Sequence, residues 1–343
     1  MKNTFNVVKL REILKLLVAG LPGRSIIFSV QDFFFLEKEI GTFNDEVCLK
    51  IPYEELPWNG SVPAKEFLGI LNSCSAEHAE AVLDSGKVRI TAPGLKAEIM
   101  INLDNPVMSV IAELEAPKKW KKLPEEAFKN GLKICGISVS SDITQGFLTC
   151  VAIEKDKMFS SDDFRITSVT LPEEISQIQV LLPWRAINDL IAYNPTDMSV
   201  RGGWCFFKTK TGVLFASRIL KEDFTNPEKF FDLENVITVP LPENLIDVIQ
   251  AIEVFSKKEM DDLKRVEIKI QKNEMIIRAS SSKGFIERSL DLKYKGEIFS
   301  FVMNPDFLID IVSYCSSFDL SLENHKALFV SDNFKHIVLL LQD

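Results

Sequence analysis

A proline-led helix start returns three times in this chain at nearly constant spacing, and that recurrence limits the folds open to it. Val62-Pro63-Ala64-Lys65-Glu66-Phe67-Leu68, Leu182-Pro183-Trp184-Arg185-Ala186-Ile187 and Asn304-Pro305-Asp306-Phe307-Leu308-Ile309 share one pattern. Each is an apolar or amide residue, then Pro, two or three mixed residues, and an apolar pair. Successive copies lie about 120 residues apart, the size of a typical domain. Leu123-Pro124 and Leu241-Pro242 keep similar time, and the same step backwards reaches 6–9, where the first amphipathic stretch begins. Proline is cheap in the first helical turn, because its missing N–H would have no partner there. The 343 residues therefore read as three copies of one unit, with domains at 1–120, 121–236 and 237–343.

An apolar fraction of 46% lets each unit bury a core of its own. No apolar run approaches the roughly 18 residues of a membrane span. Lys15 interrupts the one apolar stretch near the start, so no secretion signal is expected. The six cysteines (Cys48, Cys74, Cys135, Cys150, Cys205, Cys315) are scattered, with no two at metal-ligand spacing. They read as reduced core residues of a cytoplasmic protein. Net charge is −9, nearly balanced over 1–122 and acidic beyond. That total argues against coating nucleic acid by charge alone, but leaves room for a basic face on an acidic body.

Hydrophobic periodicity changes in the same order within each unit. Leu10, Ile13, Leu14, Leu17 and Val18 trace one buried helical stripe, stopped by Gly20-Leu21-Pro22-Gly23. Strands are expected at 26–30, 33–36 and 47–51, then the Pro63 helix, then strands at 88–91 and 97–102. The second unit gives a helix at 125–135, strands at 147–153, 157–159 and 165–171, the Pro183 helix, and strands at 204–208 and 213–219. A helix at 243–255 opens the third, followed by strands at 266–270, 274–279 and 285–293. The Pro305 helix and strands at 320–322, 328–331 and 336–341 close it. Helix, strands, helix, strands, three times over, is an α+β chain with mostly antiparallel pairing, jointed at 116–122 and 232–238.

Arg11 and Lys15 lie four apart, opposite Leu10, Leu14 and Leu17. Lys129 and Lys133 lie four apart, opposite Phe128, Leu132 and Cys135. Both pairs read either as solvated helix faces or as basic faces presented to a polyanion. The third unit breaks the pattern with Asp247, Gln250, Glu253, Asp306 and Asp310. His78, His325 and His336 sit in no motif with a nucleophile or metal ligands, and no phosphate loop, HExxH or GxSxG is present. Asp162-Asp163, Asp261-Asp262 and Gly202-Gly203 read as turns. Such an inventory favours binding or scaffolding over an enzyme, and no cofactor or metal is expected.

Met158-Phe159-Ser160-Ser161-Asp162-Asp163-Phe164-Arg165-Ile166-Thr167 resembles the strand–turn–strand signature of the bacterial DNA polymerase III beta sliding clamp family. Phe215-Ala216-Ser217-Arg218-Ile219-Leu220-Lys221-Glu222-Asp223-Phe224 is similar to that family's Ser-Arg/Lys-Leu-x-x-Gly-x-Phe-Pro. The Pro-led helices and the apolar final strand fit as well, so the resemblance covers the whole chain in order. It implies a DNA clamp fold: three similar domains, each with two helices packed on antiparallel sheets, forming a crescent. Two crescents close head to tail into a homodimeric ring around double-stranded DNA. The expected role is a non-enzymatic processivity factor, cytoplasmic and nucleoid-associated, placed by an ATP-dependent clamp loader and tethering the replicative polymerase. Contacts with DNA would be non-specific and salt-sensitive. Arg11, Lys15, Arg24, Lys129 and Lys133 are the candidates for them.

The family's partner-peptide pocket, carried over by motif, would be lined by Leu148, Ser161, Phe164, Arg165 and Ile166 with Asn304, Phe307, Leu328, Leu339, Leu340 and Leu341. Leu148 and Ile166 read equally as core. Asp163 stands where the family has Gly, Thr225 replaces the family's Pro, and the chain ends Leu340-Leu341-Gln342-Asp343 without proline or a basic residue. The expected dimer edge is charged at Lys257, Lys258 and Glu259, against a mixed 98–100, which implies a salt-sensitive seam. A second reading is an interaction hub of the same fold that binds peptides without closing a ring. A third, an enzyme with an unrecognised site, has no residue pattern behind it.

Overall fold

The computed structural model describes residues 2–22, 31–258 and 261–342, with the backbone alone at 257, 258 and 261–263. Arg24, Glu259 and the strand expected at 26–30 lie outside the described residues. One order of elements recurs three times: strand, helix, four strands, helix, three strands. The first pass is β1 (Lys2–Asn6), α1 (Val7–Leu17), β2 (Asp32–Leu36), β3 (Glu39–Phe43), β4 (Val47–Pro52), β5 (Asn59–Pro63) and α2 (Ala64–Ser73), then β6 (His78–Asp84), β7 (Lys87–Ala92) and β8 (Leu95–Met100). A short helix, α3 (Val107–Glu113), follows it. The second pass is β9 (Lys121–Lys122), α4 (Glu125–Cys135), β10 (Cys150–Lys155), β11 (Lys157–Ser161), β12 (Arg165–Thr170), β13 (Ser176–Pro183) and α5 (Trp184–Tyr193), then β14 (Pro195–Arg201), β15 (Trp204–Thr209) and β16 (Leu214–Arg218). The third opens with β17 (Ile237–Pro240) and α6 (Leu245–Ile252), and inserts a hairpin, β18 (Lys257–Lys258) and β19 (Asp261–Lys264). It continues through β20 (Val266–Gln271), β21 (Glu274–Ser281), β22 (Gly284–Asp291), β23 (Phe299–Met303) and α7 (Pro305–Ile311) to β24 (Ser317–Ser321), β25 (Lys326–Ser331) and β26 (Phe334–Leu339).

Local chemistry sets these boundaries. Asn6 Oδ1 caps α1 by accepting the N–H of Lys9, and Val7, Leu10, Leu14 and Leu17 are fully buried. Val18 was expected in that stripe but is 43% exposed. It belongs to the 3-10 turn Val18–Gly20, whose three-residue pitch throws the stripe out of phase. Asn304 Oδ1 caps α7 at the N–H of Asp306, with Pro305 beside it. Gly131 sits mid-helix in α4 for a packing reason: a Cβ there would meet Met158 Sδ at 3.0 Å and Val169 at 3.3 Å. The strand expected at 147–153 starts only at Cys150, because Ile143–Thr149 forms 3-10 turns around Gly146, which has a φ of 54°.

Contacts group the chain into two compact units, Met1–Lys129 with Val180–Lys221 and Asn130–Gln179 with Glu222–Asp343. The first holds a four-stranded sheet, β1-β6-β7-β8, and an eight-stranded sheet, β5-β2-β3-β4-β16-β15-β14-β9. Phe34, Phe43, Cys48, Ile111, Trp204, Phe206 and Ala216 form an aromatic-rich core against one face of the larger sheet. In this unit Tyr193 at the end of α5 donates its hydroxyl to the carbonyl of Leu16 on α1. The second unit holds β22-β21-β20-β23 and a larger sheet running β10-β11-β12-β26-β25-β24-β17, with β13 at its edge where the chain leaves the unit.

Both larger sheets are joined by the same rule. The fourth strand of one pass pairs antiparallel with the last strand of the next: β4 with β16, through Leu49↔Phe215 and Cys48↔Ala216, and β12 with β26, through Ile166↔Ile337 and Thr167↔His336. Two strands of these classes remain at open edges, β8 in one unit and β22 in the other.

Candidate partner-binding groove and basic helices

The turn between β11 and β12 closes without glycine because Asp162 does the work. Its Oδ1 accepts the N–H groups of Phe164 at 2.8 Å and Arg165 at 2.7 Å, while Ser161 Oγ donates to the carbonyl of Arg165. Asp162 Oδ2 also receives Arg165 Nε at 3.0 Å and Nη2 at 2.9 Å. Arg165 Nη1 reaches Asp310 on α7 at 2.8 Å, and its guanidinium stacks 4.2 Å above the ring of Phe307. With its side chain only 11% exposed, Arg165 ties the turn to α7 and offers little charge to a ligand. Each charged hydrogen bond of this kind contributes about 1.5–3 kcal/mol.

Antiparallel register sorts the remaining residues by face. Ile166 and Ile337 are opposed, as are Leu328 and Ile337, and Leu339 donates its N–H to the carbonyl of Phe164. These residues share one side of the sheet, since directly opposed side chains point the same way. Ile166, Leu328 and Ile337 pack with Phe231 and Leu233 from the segment after β16. At the hairpin end Phe164 meets Phe307 with ring centroids 6.0 Å apart. Phe164 and Ile166 are half-buried and Leu339 is 36% exposed, so a stripe of apolar surface stays open along this face.

No family model matches the chain. The beta sliding clamp of Chlamydia pneumoniae is 19% identical over 291 residues, which is 80% of this chain and 75% of that protein. The solved DNA polymerase III subunit beta of Pseudomonas aeruginosa superposes with a TM-score of 0.85 over 100% of both chains at 14% identity. A sliding clamp from Bartonella birtlesii, solved bound to griselimycin, gives 0.86 at the same identity and coverage. This chain has the sliding-clamp fold.

Within the clamp fold the other motif-derived pocket residues fall in several places. Leu148 is half-buried on the 3-10 segment that Gln145 fastens to the hairpin through Asp163 Oδ2 at 2.7 Å. Asn304 is spent capping α7 and Ser161 in closing the turn. Leu340 and Leu341 line a separate groove with Val302, Leu322 and His325. Phe231, Leu233 and Ile337 were missed from sequence; the Phe230-Phe231 pair just before the expected joint was the available signal.

The basic helix positions divide too. Lys15 is exposed, Arg11 is half-buried, and neither makes an ion pair among the described residues. Lys133 is exposed, whereas Lys129 is engaged with Asn194 Oδ1 at 2.7 Å. Arg185 on α5, exposed and missed as a charge in the Pro-led motif, adds to the basic surface of the first unit. In the second unit α6 and α7 present Asp247, Gln250 and Asp310, and Asp306 is paired with Lys264.

Proposed function

We propose that two copies of this chain close head to tail into a ring around double-stranded DNA and serve as a processivity clamp. The observation that carries this reading is the pairing rule of the sheets. Each internal junction joins a fourth strand to a last strand, and the strands left over, β22 and β8, are one of each class. Joining β22 of one copy to β8 of another, twice, repeats the same junction and leaves neither edge open. Charges on the two edges are complementary, with Lys96 and Glu98 on β8 and Glu287 and Arg288 on β22. The three passes of the chain are its three clamp domains, 1–120, 121–236 and 237–343.

In this reading α1, α4 and α5 face the DNA, and Arg11, Lys15, Lys133 and Arg185 touch phosphates without reading bases. The groove formed by Phe164, Ile166 and Leu339, backed by the buried Leu328 and Ile337, takes an apolar segment of the replicative polymerase and other partners. An ATP-dependent loader opens the ring, and the protein works in the cytoplasm on the nucleoid, with no catalysis of its own. No helix among the described residues is long and apolar enough to cross a membrane.

Arg11→Glu with Lys15→Glu is expected to shorten the dwell time on loaded nicked circular DNA at least ~10-fold at low salt. Melting should shift little, because both side chains point away from the buried stripe; Glu at position 15, in the last turn of α1, costs only about 0.3–1 kcal/mol. An unchanged dwell time removes these helices from the DNA path. Leu339→Glu is expected to weaken a Leu/Phe-containing partner peptide at least ~100-fold in a calorimetric titration. Arg165→Ala should weaken it less and lower stability by about 2 kcal/mol, since the turn loses its tie to α7. Wild-type peptide affinity in Leu339→Glu would remove the groove assignment.

A further inference from the structure

The partner groove has a counterpart in the first unit. At the β4–β16 junction, Cys48 and Ala216 stand in the register places that Ile166 and Ile337 hold at β12–β26, and the segment after β8 covers the same face as the segment after β16. A cavity of about 250 Å³ opens there, with Trp204 and Phe206 as floor and Leu114 as wall. Its chemistry differs from that of the partner groove. Arg218 lies exposed over the ring of Trp204 at 4.9 Å, its Nε donating to the carbonyl of Asp45. Its two terminal amino groups have no partner among the described residues. Arg201 is exposed as well, and its nearest carboxylate, on Glu115, is 3.7 Å away, beyond a hydrogen bond. Exposed Lys118, Lys119 and Lys122 continue the positive surface along the adjacent edge strand, in a chain whose net charge is −9.

We infer that this cavity is a second docking site, which takes an acidic linear peptide of a partner protein. An apolar side chain would seat against Val110 and Leu114 at the edge of Trp204, and flanking carboxylates would pair with Arg201 and Arg218 in the forked geometry that guanidinium groups favour. The space suits one or two side chains. A nucleic-acid strand fits less well. The aromatic faces that bases would stack on are taken by cations, Arg218 on Trp204 and Lys208 on Trp120 at 4.6 Å.

The test is selection of random dodecapeptides displayed on phage, run on the full chain carrying Leu339→Glu so that the partner groove is closed. Peptides with an apolar residue flanked by Asp or Glu are expected to enrich. The synthesised consensus should bind Arg201→Ala/Arg218→Ala at least ~10-fold more weakly than wild type. It should bind Leu339→Glu and wild type alike, and Asn in place of its Asp should abolish binding. Both arginines are solvent-facing, and matching thermal melts will show that the double variant folds. No enrichment on Leu339→Glu, or equal binding to the double-arginine variant, overturns the inference. Binding of an oligo-dT strand that depends on both arginines, with no acidic peptide selected, overturns it in favour of a nucleic-acid face. Failure of ring closure leaves this test intact, since the cavity belongs to one chain.

Discussion

Val254→Asp together with Phe285→Asp is expected to leave the chain folded and turn a dimer into a monomer. Val254 is 77% exposed and Phe285 61%, although both are large apolar side chains beside an unpaired strand. The segments that carry them are neighbours: Phe255 lies 3.6 Å from where a Cβ on Gly284 would stand, at the start of β22. The β8 edge of the first unit offers Met100, 60% exposed, and Leu103, just beyond the strand, 47% exposed. Apolar groups left open at two unused sheet edges mark a surface meant to be covered. Losing both anchors and burying carboxylates in their place costs about 4 kcal/mol, roughly 1,000-fold in dimer affinity. The fold itself is spared because neither side chain contributes to a core within one chain. Ile143→Asp, comparably exposed at 69% but on the 3-10 segment Ile143–Thr149 and not on β8 or β22, is the control and should keep the mass of the wild type. Sedimentation equilibrium reads the result, and a wild-type mass for the double variant would show that β22 is not the closing edge.

The second large effect is acid lability centred on His336. This histidine is fully buried beside the β12–β26 junction, with Nδ1 2.8 Å from Thr167 Oγ1, and Ser138 Oγ 2.6 Å from the same hydroxyl. Its Nε2 is buried with no hydrogen-bond partner among the described residues. Burial, and to a lesser extent the positive charge of Arg165, pushes its pKa down from 6.5 to about 3. The folded protein therefore keeps a neutral imidazole while the unfolded chain takes up a proton below pH 6.5. Stability from this site is complete above that pH, and is lost as pH falls towards about 3, at about 1.4 kcal/mol per pH unit. By about pH 5 the loss reaches roughly 2 kcal/mol. His336→Gln retains a polar partner for Thr167 but cannot titrate, so its urea midpoint should fall less between about pH 7.5 and 5 than that of the wild type. Parallel losses in the two proteins would show that His336 titrates alike folded and unfolded.

Much of the architecture was legible because repetition announces itself. The Pro-led helices and the stripes of α1 and α4 were fixed by patterns that survive in one sequence. Strands were harder where burial hides alternation. In β3, Ile40, Gly41, Thr42 and Phe43 are all buried, Thr42 by bonding the carbonyl of Leu17, so no period of two is left to find. At the groove, the Asp162-Asp163 doublet read correctly as a turn. The place of Arg165 did not follow from its apolar neighbours, because the partner that holds it, Asp310, lies 145 residues away. Phe231 and Leu233 escaped for a similar reason: a connecting segment gives no period, and only the register of β25 and β26 brings them over Leu328 and Ile337.

Closure of two chains through β8 and β22 is the claim on which the rest depends, and the solution mass tests it most directly. Light scattering on a sizing column at physiological salt should give about twice the 38.8 kDa of one chain, falling towards one chain in high salt as the Lys96, Glu98, Glu287 and Arg288 contacts are screened. A mass of 38.8 kDa at micromolar concentration and physiological salt would contradict the ring and leave a peptide-binding hub with open edges.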